Sequence, residues 1–157
     1  MHIAESNEDL FLQNKMQRKL GQLTGTCFQR CVGMDAFNAL HSVTFEIDEK
    51  HNTNYHKNFI NFLTEMHKYN LVIGGAMTDV KGDRSKLPHE QEDEDVYLRI
   101  VKRTEDGVYV KGAKAHQTGC INSHWMVVMP TLRLSDKDTD YAICLLYTSD
   151  AADDRMR

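Results

Sequence analysis

Two cysteines, Cys27 and Cys31, are spaced i, i+4 within the run Thr26–Asp35. In a helix, side chains at this spacing lie on one face with their Cβ atoms about 6 Å apart. Two thiolates so placed can bind one metal centre, and cysteine thiolates are the usual ligands of iron–sulfur clusters. Free cysteine is also one of the most buried residue types, so a core role is the competing interpretation. We expect Cys120 and Cys144, which have no near partner in sequence, to face a sheet interior.

Two glycine-containing loops are dense in polar side chains. The first, residues 74–84, combines glycines with a hydroxyl, carboxylates and the cations Lys81 and Arg84. The second, residues 112–119, carries hydrogen-bonding side chains between small residues. Glycine allows the backbone to approach a ligand closely, so the loops together predict two walls of a site for a ligand with a polar head. Ordinary turns use the same residue types, and both the dinucleotide fingerprint and the P-loop motif are absent from the sequence.

The composition narrows the possible partners. The chain has 157 residues and a formal net charge of −4. A general binder of nucleic acid or of anionic membranes normally shows a basic patch, so we expect neither partner. No stretch approaches the roughly 20 apolar residues of a membrane span. Four cysteines without a secretory signal indicate reduced thiols or metal ligands in a cytoplasmic protein rather than disulfides.

Two helices must position the cysteines and pack beside them. Apolar residues recur at helical spacing before residue 71, beginning with Leu10, Met16, Leu20 and Leu23. This spacing predicts one helix leading into the cysteine pair. A further helix, capped by Thr53 or Asn54, is predicted from a stripe at i, i+4, i+7, i+8 and i+11. The stripe consists of Tyr55, Phe59, Phe62, Leu63 and Met66, which we expect to face the core.

The pattern shortens to strands after residue 71. Runs rich in β-branched and aromatic residues predict strands at Leu71–Ile73, Val96–Val101, Val108–Lys111, Trp125–Met129 and Tyr141–Cys144. The Asp106-Gly107 dipeptide predicts a tight hairpin turn between two of them. The acidic run Glu90–Asp95 is expected to be a solvated loop. Helices followed by a run of antiparallel strands predict an α+β chain whose two parts pack as separate layers or subdomains.

Three separated motifs resemble those of the 4-hydroxybutyryl-CoA dehydratase family. They are Cys27–Asn38, then Gly75–Asp79 with Lys81–Arg84, and Lys114–Gly119 with Asn122–His124. This family belongs to a flavoprotein superfamily that includes the 4-hydroxyphenylacetate 3-monooxygenases, and its fold resembles that of acyl-CoA dehydrogenases. The resemblance implies that residues 1–70 end a helical N-terminal domain and that residues 71–145 form an antiparallel, β-rich middle domain that binds flavin.

The resemblance also implies a chemistry. In this family FAD and a 4Fe–4S cluster flank an acyl-CoA substrate, and a radical dehydration gives crotonyl-CoA; activity as a vinylacetyl-CoA isomerase stays open. Cys27 and Cys31 would be two cluster ligands, Gln29 would face the substrate, and Thr118 would act between flavin and substrate. The residues expected to line the flavin are Met77, Thr78, Asp79, Lys81, Arg84, His116, Gln117 and Thr118. The parent protein would be a homotetramer.

The sequence departs from the family in two places. The family's other cluster ligands, a histidine and a third cysteine, come from a C-terminal domain, and neither Cys120 nor Cys144 matches them. The likeness is expected to stop near Leu145, because residues 146–157 resemble translated sequencing-adapter read-through. We therefore interpret the chain as an internal fragment, inactive by itself, and expect residues 146–157 to lie outside the fold.

Two alternatives to a dehydratase remain open. The first is a flavin-dependent aromatic monooxygenase of the same superfamily. The cysteine pair disfavours it, and so does Gly75, which lies near the position where those enzymes tend to carry a histidine. The second is a non-enzymatic domain whose cysteines belong to the core. A chain that folds stably and binds neither iron nor flavin would favour this second alternative.

Overall fold

The computed structural model describes residues 3–25, 30–117 and 119–148. The chain forms two compact units, Met1–Leu71 and Val72–Arg157. The first unit is helical and the second contains the strands, which confirms the predicted α+β class. Among the described residues, no helix combines the length and the apolar character that crossing a membrane requires.

The described residues of the first unit form three helices: α1 (Asn7–Thr24), α2 (Arg30–His51) and α3 (Tyr55–Tyr69). At the start of α1, the Ser6 hydroxyl accepts a hydrogen bond from the amide of Asp9, which satisfies one of the free N–H groups of the first turn. The helix ends at Gly25 with φ +66°, a left-handed conformation that glycine adopts without strain. The helix predicted to lead into the cysteine pair is therefore confirmed only as far as Thr24, since a separate helix, α2, begins at Arg30; none of the residues of α1 is buried.

The core of the first unit lies between α2 and α3. The ring of Phe37 is fully buried and stacks on the rings of Phe59 and Phe62, with centroids 5.7 and 6.1 Å apart. Four members of the predicted α3 stripe are buried, whereas the fifth, Tyr55, is 56% exposed. Tyr55 is the first residue of α3, so the core-facing stripe begins one turn later than the sequence spacing predicts.

The cap of α3 comes from the preceding helix. Asn54 occupies the N-cap position but makes no side-chain capping bond. Instead, the two carboxylate oxygens of Asp48 accept hydrogen bonds from the amides of Tyr55 and His56, each 2.9 Å long. The prediction of Asn54 as the N-cap residue is therefore confirmed, but its side chain does not supply the capping bond. The turn between α2 and α3 places the Asp48 carboxylate at the start of α3, where it satisfies two of the free N–H groups of the first turn.

In the part of the second unit that the structure describes, five short strands form two sheets. They are β1 (Ile73–Ala76), β2 (Arg99–Thr104), β3 (Gly107–Lys111), β4 (Trp125–Val128) and β5 (Leu145–Thr148). The predicted hairpin is confirmed, because β2 pairs with β3 across a turn that ends at Gly107, whose φ is +151°. The second sheet has the order β1-β4-β5. Its core consists of Ala76, Met126 and Val128, with Leu98 and Leu145 packed against them.

One pairing in this sheet is parallel. β1 runs parallel to β4, with Ile73 opposite Trp125 and Ala76 opposite Val128, so the run of strands is not wholly antiparallel as expected. A parallel pair needs a long crossover, and here the β2–β3 hairpin and the two polar loops make up that connection. The first polar loop therefore follows β1, and the second lies between β3 and β4.

The end of the described chain differs from the prediction. Tyr141–Cys144 is not a strand, since Thr139–Tyr141 forms a short 3-10 turn. The strand lies at Leu145–Thr148 and pairs antiparallel with β4, so the expectation that the fold ends by Leu145 is wrong. Leu145, Leu146 and Tyr147 form a continuous apolar run in this strand. Cys120 and Cys144 are both exposed, which overturns their predicted place in a sheet interior.

A buried carboxylate, Asp138, joins two turns of the second unit. Its Oδ1 accepts hydrogen bonds from the amide and the Nδ1 of His89, and its Oδ2 accepts bonds from the amide and hydroxyl of Ser135. Burial raises the pKa of Asp138, but the hydrogen bonds from Ser135 and His89 outweigh it and hold this pKa well below its usual range. Folding therefore favours the ionised carboxylate.

We expect Asp138→Asn to lower the free energy of unfolding at pH 7 by roughly 2–4 kcal/mol, because the amide turns one acceptor into a donor that faces other donors. A lowered folded-state pKa stabilises the fold above the unfolded value of about 3.9, and this contribution is lost as pH falls through the folded-state pKa. The difference in the free energy of unfolding between wild type and Asp138→Asn should thus become smaller below about pH 4. Urea denaturation at several pH values measures it.

The control for this experiment is Asp140→Asn. Asp140 is half exposed and pairs with Arg103 at 2.6 Å, and such surface pairs contribute about 0–1 kcal/mol. Equal stability of Asp138→Asn and Asp140→Asn at pH 7 would contradict the assigned role of Asp138.

Candidate functional site

The two polar loops lie side by side in the second unit. Asp79 and Lys114 form an isolated antiparallel bridge, and the amide of Ala115 donates a 2.9 Å hydrogen bond to the carbonyl of Thr78. The segment that follows β1 is thus paired with the segment that follows β3. The structure brings the segment Met77–Asp79 next to Gln117.

A buried ion pair lies between the loops. The Nζ of Lys114 is 2.6 Å from Oδ1 of Asp79, and the two side chains are only 9% and 6% exposed. Lys114 Nζ also donates to the carbonyls of Met129, at 2.8 Å, and Met77, at 3.3 Å. Asp79 Oδ2 accepts a 2.8 Å hydrogen bond from the hydroxyl of Thr131. A lysine ammonium has three donors, and here each has a partner.

Gln117 presents an unused acceptor beside this pair. Its Nε2 donates to the carbonyl of Ala115 at 2.5 Å and to that of Thr78 at 3.5 Å. Among the described residues, its Oε1 is the one buried side-chain polar atom that lacks a hydrogen-bond partner. Two carbonyls face the amide nitrogen, so exchanging the nitrogen and oxygen would place oxygen against oxygen. The orientation with Oε1 unpaired is therefore the one that the surroundings favour.

The residue before Gln117 has an unusual backbone. His116 has φ +54°, and only a few per cent of residues other than glycine adopt positive φ. Such conformations concentrate at ligand sites, where the surrounding structure holds them. The left-handed turn at His116 sets the direction in which Gln117 leaves the loop. Thr118, the predicted catalytic residue, lies outside the described residues.

Lys81 and Arg84 lie on an exposed stretch of the first loop. Within the described part of the chain, neither cation forms an ion pair. The buried side chain of Gln91 holds this stretch: its Oε1 accepts from the amide of Asp83 at 3.0 Å, and its Nε2 donates to the carbonyl of Asp83 at 2.9 Å. A Cβ on Gly82 would lie 2.5 Å from the Tyr97 hydroxyl and 2.7 Å from the amide oxygen of Gln91, so a larger residue here would displace these side chains.

A small cleft adjoins the ion pair. Its volume is about 10 Å³, room for roughly one water molecule, and its lining includes Asp79, Lys114, Leu98, Val128 and Ile143. Pockets for small-molecule ligands usually measure about 300–1,000 Å³. The cleft is therefore a packing gap beside the ion pair.

The predicted metal ligands cannot be assembled from the described residues. Cys27 and Gln29 lie outside them, as does the side chain of Cys31, whose backbone is in the first turn of α2. In the ranges 3–25, 30–117 and 119–148, no group of three or more His, Cys, Asp or Glu side chains could hold a metal ion. The cluster and substrate contacts therefore stay predictions that rest on the resemblance.

Sequence reasoning missed three residues that build this site. Lys114 and Thr131 bind Asp79, and Gln91 holds the loop that carries the cations. Gln91 lies inside the acidic run Glu90–Asp95 that was expected to be solvated, yet it is only 9% exposed. A single uncharged glutamine within an acidic run was the available signal. For Thr131 the sequence contains no comparable signal.

Comparisons with known proteins identify the relatives of this chain. Residues 1–153 match the family model described as 4-hydroxyphenylacetate 3-hydroxylase N terminal. The match extends beyond Leu145, so the expectation that the family likeness stops there is wrong. The 4-hydroxybutyryl-CoA dehydratase/vinylacetyl-CoA-Δ-isomerase of Clostridium aminobutyricum is 55% identical over 150 residues, which are 96% of this chain and 31% of that protein.

Solved structures agree with this family. An oxygen-tolerant archaeal 4-hydroxybutyryl-CoA dehydratase from N. maritimus has a TM-score of 0.91 and 69% identity over 95% of this chain and 30% of that chain. The oxygenase component of 4-hydroxyphenylacetate 3-monooxygenase complexed with FAD has a TM-score of 0.54 and 23% identity over 60% of this chain and 19% of that chain. At that identity the second similarity shows the fold alone. The chain spans about a third of the length of the two dehydratases.

Proposed function

This chain belongs to the 4-hydroxyphenylacetate 3-hydroxylase N-terminal family, and we propose that it is part of a radical dehydratase that uses FAD and a 4Fe–4S cluster to convert 4-hydroxybutyryl-CoA to crotonyl-CoA. The high identity to two dehydratases supports this proposal, since it covers 95% or more of the chain. We further propose a cytoplasmic homotetramer as the parent protein, able to isomerise vinylacetyl-CoA, as the relative's name indicates for that protein.

The unpaired Oε1 of Gln117 carries the proposal for the flavin. A buried acceptor without a partner costs about 1–3 kcal/mol, so a bound group that donates a hydrogen bond there recovers this cost. The flavin ring has an N–H donor, and hydrogen bonds to its ring atoms are one way in which proteins tune its electronics. The left-handed His116 and the paired loops hold this acceptor in place. The residues present thus fit the cofactor.

The other loop residues have complementary roles in this proposal. Lys81 and Arg84 are exposed cations without a described ion-pair partner, and they would bind the anionic phosphates of FAD, for which arginine offers a forked donor. The backbone from Met77 to Asp79, together with His116, would line the flavin, while the Asp79 carboxylate stays buried against Lys114. Thr118 would place its hydroxyl between flavin and substrate, where it can hold or pass a proton.

The chemistry divides between cofactor and chain. When bound, FAD supplies the one-electron chemistry that removal of an unactivated β-hydrogen requires. Cys27 and Cys31 would hold two corners of the cluster, because thiolate is the ligand that iron–sulfur centres prefer. Gln29, between them in sequence, would hydrogen-bond the acyl-CoA. The chain's part is to bind and orient, and to keep water from the substrate.

We expect Arg84→Ala to weaken FAD binding by roughly 10- to 100-fold in full-length protein that contains this segment. A lost hydrogen bond to a charged group costs about 1.5–3 kcal/mol. Thr118→Val should weaken FAD binding or change the flavin potential, because it removes a hydroxyl. Quenching of flavin fluorescence on titration gives the dissociation constants.

The matched control is Arg103→Ala on the β2–β3 hairpin. Its guanidinium pairs with Asp140 and is more than half exposed, so FAD binding should stay within about threefold of wild type. Wild-type protein that binds no FAD, or unchanged affinity and potential in both Arg84→Ala and Thr118→Val, would contradict the proposed flavin site.

A further inference from the structure

We propose that the buried Asp79–Lys114 ion pair positions Gln117 for the flavin, so that Asp79 and Lys114 act as positioning residues and not as direct ligands. This inference rests on the function proposed above and deepens it. The inference is based on two features that lie close together in the paired loops: the buried ion pair and the unpaired side-chain oxygen of Gln117.

Lys114 has no donor left for a ligand, and each carboxylate oxygen of Asp79 already accepts a hydrogen bond. Lys114 Nζ uses its three donors on Asp79, Met129 and Met77. Both carboxylate oxygens of Asp79 are also occupied, Oδ1 by Lys114 and Oδ2 by Thr131. With the two side chains at least nine-tenths buried, a cofactor phosphate or ring would meet neither group directly.

The pair is linked to Gln117 through adjacent backbone. Lys114 donates hydrogen bonds to the residues on both sides of Thr78, namely to the carbonyl of Met77 and the carboxylate of Asp79. The carbonyl of Thr78 accepts the amide of Ala115, the residue that follows Lys114. The side-chain amide of Gln117 donates to the same Thr78 carbonyl and also to the carbonyl of Ala115. A shift of either loop would therefore move the carbonyls that hold the Gln117 side chain in place.

Stability alone does not explain a buried ion pair at this place. Replacing such a pair with apolar residues of similar volume is often neutral or stabilising, because desolvation offsets the Coulombic gain. The pair instead fixes the geometry of the loops. The three hydrogen bonds of the Lys114 ammonium connect the segments that follow β1, β3 and β4. A defined arrangement is what a site needs when its supporting contacts must hold a ligand within a fraction of an ångström.

The test uses full-length protein carrying Lys114→Met, with Lys111→Met as the matched control. Lys111 is the last residue of β3, pairs with Asp95 and is 63% exposed. It makes none of the contacts that join the two loops. We expect Lys114→Met to raise the FAD dissociation constant at least about tenfold, which corresponds to about 1.4 kcal/mol. It should also change the absorption spectrum and midpoint potential of the flavin that remains bound. The control should change none of these.

The outcomes separate the two proposals. If wild-type protein binds no FAD, the proposed function fails and this inference fails with it. If wild type binds FAD while folded Lys114→Met keeps its affinity within twofold and its flavin spectrum and potential unchanged, the positioning role alone is overturned. If Lys114→Met does not fold, Thr131→Val decides, since it removes only the hydroxyl that binds Asp79. A spectrum and potential identical to wild type in Thr131→Val would then overturn the inference.

Discussion

Replacing Cys27 or Cys31 with alanine in the full-length protein should reduce the dehydration rate by more than about a hundredfold and lower the bound iron. Loss of an outer-shell partner of a metal ligand already costs about 10–100-fold in affinity or activity. Loss of a thiolate ligand should cost more, because alanine offers no soft donor. Iron content by elemental analysis and turnover of 4-hydroxybutyryl-CoA under anaerobic conditions measure the two effects.

Cys144→Ala is the matched control for these variants. Cys144 is exposed in the second unit, and it belongs to none of the motifs that suggest cofactor binding. Its iron content and activity should equal those of wild type. Wild-type iron and activity in both Cys27→Ala and Cys31→Ala would return the pair to the alternative interpretation, in which the two cysteines are core residues.

Asp79→Ala should lower the free energy of unfolding of the second unit by about 3–5 kcal/mol, the usual range for removing one partner of a buried ion pair. The variant leaves the Lys114 ammonium 9% exposed without a counter-ion, and it leaves the Thr131 hydroxyl with one acceptor fewer. Denaturant unfolding followed by the fluorescence of Trp125, which lies in β4 of the same unit, measures the change.

A double-mutant cycle makes this prediction specific to the pair. Asp79→Leu with Lys114→Met replaces both charges with apolar groups and should be less destabilised than the sum of the single variants. The exposed pair of Lys86 and Asp83, 3.9 Å apart, is the surface comparison, and Lys86→Met should cost less than about 1 kcal/mol. Additive effects in the buried pair would show that Lys114 and Asp79 are energetically independent.

Features governed by contacts within a few residues were predictable from the sequence. The spacing of apolar residues predicted α1 and the buried stripe of α3, and Asp106-Gly107 predicted the β2–β3 hairpin. Helical periodicity and turn conformation depend on neighbouring residues, so no knowledge of distant contacts is needed. The α+β class follows from the same patterns.

The motifs also determined the family and the two loops of the candidate site, because residue identity at fixed spacing survives without a structure. Tertiary structure alone decided how these parts combine. The parallel pairing of β1 with β4, the Asp48 cap of α3 and the position of β5 depend on which segments meet. The ion pair of Asp79 with Lys114 joins residues far apart in sequence, and no local pattern shows which lysine a given aspartate will find. Burial then decides the role of Asp79, because the same carboxylate would bind a ligand if exposed but supports its neighbours when both oxygens are taken.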